Sequence, residues 1–169
     1  MAVQRAIGIS VHTGWGACVV VGGNQTLPEI VAHPVIEILS RSDRFCFHQA
    51  AEMTPAVAQK WLAQLRARAI TCAREALAPL IAQQVSVCAI VSKEGSAGDL
   101  RDVFASHMKI HSAEGFFYRD VFRDACTVPA QVVPPSLLDI SKMGKLAPAP
   151  WGRDQKLAAL AAWSVMRKV

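Results

Sequence analysis

The chain has 169 residues, 52% of them apolar and 18% charged, with a formal net charge of +5. This is enough apolar material for one domain, residues 1–169, with its own core, and it excludes disorder, fibres and small disulfide scaffolds. No apolar run approaches the roughly 18 residues of a membrane span, and residues 1–6 lack the apolar stretch of a secretion signal.

Read in chain order, Ile7, Gly8, Ile9, Ser10 and Val11 form a first expected strand. A short polar stretch separates it from a second over residues 15–21, and Gly22, Gly23 and Asn24 then suit a tight reversal. A third strand is expected over residues 29–39, rich in Val and Ile, with Pro34 marking a break or an edge position. Three strands with short connections favour an antiparallel meander. Phe45, Cys46, Phe47 and His48 extend or cover it.

Thr54 and Pro55 open a helix running to about residue 84, the hydroxyl serving as cap and proline standing at the first helical position. Its expected apolar stripe is Val57, Trp61, Leu65, Cys72, Ala76 and Leu80, and Pro79 should kink or end the last turn. Residues 85–91 are a continuous apolar run, as in a strand covered on both faces. A loop follows, then a second helical region from near Asp99, clearest over residues 111–126. Residues 128–133 read as a last strand stopped by Pro134 and Pro135, and residues 135–138 as a short helix. A loop over residues 143–150 leads to a final, alanine-rich helix over residues 154–166.

The five cysteines (Cys18, Cys46, Cys72, Cys88 and Cys126) contain no CxxC pair and are odd in number. Free thiols in a reducing cytoplasm fit better than bridges or a zinc centre. The positive charge is scattered, without a block of five like charges. It suits a solvated basic surface and also permits an anionic partner such as DNA or RNA.

The resulting order is β-β-β-α-β-α-β-α. Helical crossovers make the third and fourth strands, and the fourth and fifth, expected parallel pairs. The expectation is an α/β fold: a mixed five-stranded sheet with helices on both faces. This order, with Ile7 to Gly16, Val87 to Glu94, Ala113 to Arg119, Pro129 to Pro134 and Asp154 to Ala161, resembles the ribonuclease H-like fold and its Holliday-junction-resolvase branch.

In that family, acids from the first strand, the fourth strand and the last helix converge on two magnesium ions that assist phosphodiester hydrolysis. The resemblance implies Glu94 as the fourth-strand acid and Asp154 as the helix acid, a candidate catalytic pair whose cofactor would be Mg²⁺ or Mn²⁺. The first-strand position falls on Ser10, and a neutral hydroxyl offsets little of the charge of two hard cations. Efficient two-metal cleavage is therefore not expected. The site reads as degenerate, in a nucleic-acid-associated domain whose cations Lys93, Arg153 and Lys156 would meet DNA or RNA. A divergent metal-dependent nuclease using Glu94 and Asp154 is the alternative reading. A non-catalytic interaction module, assembled as a homodimer through the long helix, is another.

A second candidate metal site is His107, His111 and Glu114, which fall at i, i+4 and i+7 if helical and could then converge on a transition metal. A helix starting at Ser106 or Ser112 would instead split the histidines between loop and helix. Ser10 and His12 are read as alternating along a strand without facing each other, so no Ser/His nucleophile pair is expected.

Overall fold

Strand β1 (Arg5–His12) is apolar on both faces and lies in the middle of the sheet. The computed structural model describes residues 4–24 and 26–167. A two-residue turn, in which Gly14 takes φ +81°, returns the chain antiparallel as β2 (Trp15–Gly23). On its other edge β1 pairs in parallel with β5 (Val85–Val91).

The expected third strand is two short strands, β3 (Pro28–Ala32) and β4 (Val35–Glu37), both paired antiparallel with β2. Proline has no N–H to give a ladder, so the strand divides at Pro34, whose carbonyl still accepts from the Cys18 N–H at 2.9 Å. The sheet is therefore six-stranded rather than five-stranded, in the order β3-β2-β1-β5-β6 with β4 also on β2.

One expected pairing does not occur. The fourth strand joins β1, not the third strand, because helix α2 (Pro55–Ile81) carries the chain past β2 and β1 before β5 begins. The physical reason is burial: Ala6, Ile7 and Ile9 are inaccessible to solvent, so β1 takes neighbours on both sides. The half-exposed, proline-bounded β3 stays at the edge. The expected parallel pairing of β5 with β6 (Ala130–Val133) is present.

Alternation along the strands sorts the core into two layers. Ile7, Ile9, Cys18, Val20, Cys88 and Ile90 face α2, together with helices α1 (Cys46–Ala50) and α4 (His107–Ala125). Ala6, Val19, Val21, Val87, Ala89 and Val91 face α5 (Arg153–Met166). The second layer is thin. Alanines on α5 and Gly8 on β1 allow such close approach that a Cβ on Gly8 would lie 1.8 Å from the Ala158 carbonyl oxygen.

The helices also depart from the sequence reading in detail. Thr54 sits at the α2 N-cap but makes no side-chain cap, and Pro55 opens the helix without it. The buried stripe is Ala58, Leu62, Leu65, Ala69, Ala73, Leu77 and Leu80, and Val57 is exposed. Small residues on that face let α2 lie close to α4, which overrides the preference of larger residues one position away. Residues 46–50 cover the sheet as a helix and bury Cys46 and Phe47. Asp99 caps a five-residue helix, α3 (Leu100–Phe104), by accepting from the Asp102 N–H. Among the described residues, no helix is long and apolar enough to cross a membrane.

Candidate functional site

The C-terminal ends of β1 and β5 open into a cleft of about 460 Å³, walled by α4 on one side and the first turn of α5 on the other. Parallel strands end there together, so side chains from distant segments gather at one rim. Asp154 stands in the first turn of α5, where the helix dipole favours a negative charge. The Ser10 hydroxyl donates to Asp154 Oδ1 at 3.2 Å. His12 Nε2 lies 2.9 Å from the same oxygen, off the line of a hydrogen bond, with its ring stacked on Trp15 at 4.1 Å and 5°.

Ser10 and His12 thus share a face, contrary to the sequence reading, because residues two apart on a strand point the same way. They still form no nucleophile pair. Both address the carboxylate that lies between them, and a triad needs the serine on the histidine.

The parallel register puts Val91, not an acid, beside Ser10. Glu94 lies three residues beyond the end of β5, is exposed, and is not among the residues lining the cleft. Asp154 is the one carboxylate in that lining among the described residues. A pair of hard cations needs several anionic oxygens at short range, so a single carboxylate engaged by a hydroxyl and an imidazole does not fit two magnesium ions.

Two of the three expected cations border the cleft, Lys93 and Arg153, and both are exposed. Lys156 is half-buried, one turn along α5 and outside the lining. The loop that carries Lys93 is fastened from below. Buried Arg119 donates through one guanidinium nitrogen to the carbonyls of Lys93 at 3.2 Å and Gly95 at 2.8 Å. Its Nε bonds Asp120 at 2.9 Å, and its plane lies over Phe116, another cleft residue, at 4.9 Å.

Helix α4 begins at His107, so His107 and His111 are one turn apart on one face. His48 of α1 joins them, and one ring nitrogen of each of the three lies within 4.8 Å of the others. Glu114 does not stand with these nitrogens but behind them. It is only 1% exposed, and its Oε1 accepts from His48 Nδ1 at 2.8 Å and from the Phe47 and His48 backbone N–H groups at 3.2 and 3.4 Å. Burial, and then the charge of Glu114, push the neighbouring Cys46 thiol up to about 12. His111 also borders the cleft, so the cluster and the cleft share a wall.

Sequence reasoning set His12 aside and missed His48. The two-residue spacing from Ser10 signals His12, whereas nothing local marks His48, which lies 59 residues from His107.

No protein-family model matches the sequence, and no curated protein matches it. Solved structures do. RuvC of Thermus thermophilus in complex with a Holliday junction substrate matches at TM-score 0.56 and 12% identity, covering 98% of this chain and 94% of that one. A second Thermus thermophilus RuvC structure matches at TM-score 0.51 and 14% identity, covering 97% and 95%. The yeast mitochondrial Holliday junction resolvase Ydc2 matches at TM-score 0.52 and 11% identity, covering 98% and 78%. The chain has the ribonuclease H-like fold of the Holliday-junction resolvases, over nearly its whole length.

Proposed function

We infer that this protein is a nucleic-acid-associated domain of resolvase-like fold that contacts DNA or RNA at the β1–β5 rim without efficient two-metal hydrolysis. The observation that carries this reading is the composition of the rim. Ser10 and Val91 stand side by side, and the remaining carboxylate, Asp154, is engaged by Ser10 and His12. Around this nearly neutral floor stand Lys93 and Arg153, with Lys156 further along the helix. Cations without a metal-holding acid cluster suit phosphate contact better than phosphate cleavage. The five free thiols suit a reducing compartment such as the cytoplasm.

The test is binding of four-way, single-stranded and duplex DNA by fluorescence anisotropy across a salt series, with cleavage assayed in Mg²⁺ and Mn²⁺. Binding should weaken steeply with salt, and Lys93→Ala or Arg153→Ala should each reduce the logarithmic salt slope by about 1. Metal-dependent cleavage abolished by Glu94→Gln or Asp154→Asn would establish the nuclease reading instead. No binding at low salt, together with a stable homodimer, would establish the interaction module.

A further inference from the structure

We propose that His48, His107 and His111 bind one divalent transition-metal ion of the zinc class, with Glu114 as the carboxylate that orients the site from behind. The proposal rests on the geometry of the three histidines and Glu114 and is independent of what the cleft binds.

Three features support it. His48 Nε2 and His107 Nε2 face each other at 3.3 Å. Zinc–nitrogen bonds of about 2.0–2.1 Å in a tetrahedron set ligand nitrogens roughly 3.4 Å apart, so this pair already has the required spacing. His111 needs only a small side-chain adjustment, and as an exposed residue it is free to make one.

The second feature is the tautomer of His48. Glu114 Oε1 accepts from His48 Nδ1 at 2.8 Å, which places the imidazole proton there and leaves a lone pair on Nε2, the atom that faces His107. A carboxylate on the far nitrogen is the usual companion of a metal-bound imidazole, because it fixes the ring and raises its basicity.

The third feature is a buried oxygen without a hydrogen-bond partner. Glu114 Oε2 is buried, accepts no hydrogen bond, and lies 4.0 Å from His111 Nδ1. A buried carboxylate half satisfied by neutral donors is costly, and a cation held by the adjacent imidazoles offsets it. Nitrogen donors select a metal such as Zn²⁺, Co²⁺ or Ni²⁺ over Mg²⁺ or Ca²⁺, which prefer oxygen. Three protein ligands leave a fourth position to water. The ion would tie α1 to α4, and through His111 it would fix one wall of the cleft.

The experiment uses the full chain stripped with a chelator, titrated with Zn²⁺ against a chromophoric competitor and with Co²⁺ by visible absorption. One equivalent should bind, and the Co²⁺ complex should show tetrahedral d–d bands with no thiolate charge-transfer band. His107 is exposed at the start of α4, so His107→Ala should remain folded yet lose the d–d bands. Glu114→Gln should weaken Zn²⁺ binding about 10- to 100-fold. The proposal is overturned by absence of Zn²⁺ and Co²⁺ uptake in the wild type, by undiminished uptake in His107→Ala, or by a cobalt spectrum carrying thiolate charge transfer. Should Glu114→Gln fail to fold, the His107→Ala comparison decides the question.

Discussion

Ser10 and Val91 are direct partners across the parallel β1–β5 ladder and share the face covered by α5. Under the proposed function this pairing limits the cleft, since it places a hydroxyl and an isopropyl group side by side at the rim. Ser10→Asp should bring a second carboxylate within reach of Asp154 in a site where Ser10 is only 4% exposed. Like charges at that range should cost about 1–2 kcal/mol of stability, recovered when Mg²⁺ binds between them. Thermal scans should show a lowered Tm that rises with Mg²⁺ in S10D. A wild-type Tm that rises equally would show that the native rim already holds the ion.

Gly8 and Gly115 should respond to alanine with opposite signs. A Cβ at Gly8 meets the Ala158 backbone carbonyl, which cannot swing aside as a side chain can, so Gly8→Ala should cost about 3 kcal/mol. Nothing lies within 4 Å of a Cβ at Gly115, inside α4, so Gly115→Ala should gain about 1 kcal/mol from helix propensity. Urea midpoints of both variants check the pair. Equal shifts would refute the close β1–α5 contact.

Alkaline pH should destabilise the fold through its buried thiols. The Cys46 thiol is raised from 9.0 to about 12 by burial and then by Glu114, and burial followed by Cys46 raises Tyr118 as well. Below pH 9.0 the thiol is protonated in both states and its contribution is fully present. As pH rises through 9.0 toward about 12, the unfolded thiol ionises while the folded one does not, so stability falls. Urea midpoints measured below and above pH 9.0 should drop, and by less in Cys46→Ala.

Arg119 should be a positioning residue for Lys93. Removing its bonds to the carbonyls of Lys93 and Gly95 by Arg119→Met should loosen the loop after β5. Hydrogen exchange and proteolysis over residues 93–98 should accelerate, and the salt dependence of nucleic-acid binding should diminish. Arg119→Lys should rescue little, because an ammonium cannot reproduce the fork that serves Asp120 and the loop together. Unchanged loop exchange in Arg119→Met would remove that role.

The legible part of the site was the part with local signals. Asp154 follows Gly152 at the start of an alanine-rich helix, a position that favours an acid, and the cleft does contain it. Ser10 was legible as the neutral residue at the end of the first strand. Glu94 was the nearest acid in sequence to the end of the fourth strand, but inter-strand register decides which residue is level with Ser10, and that residue is Val91. The cations divided in the same way. Lys93 and Arg153 flank strand and helix ends at the rim, whereas helical rotation carries Lys156 away from it.

By itself, the sequence determined most of the alternation of strands and helices, the two-faced burial of residues 85–91, and a break or edge at Pro34, because hydrophobic period and proline chemistry act over a few residues. Only the tertiary structure decided that β5 lies beside β1 rather than the third strand, that Val91 stands next to Ser10, and that His48 joins His107 and His111 in front of Glu114. Those relations join segments tens of residues apart. They are settled by which apolar faces can be covered together, and no local pattern records that outcome.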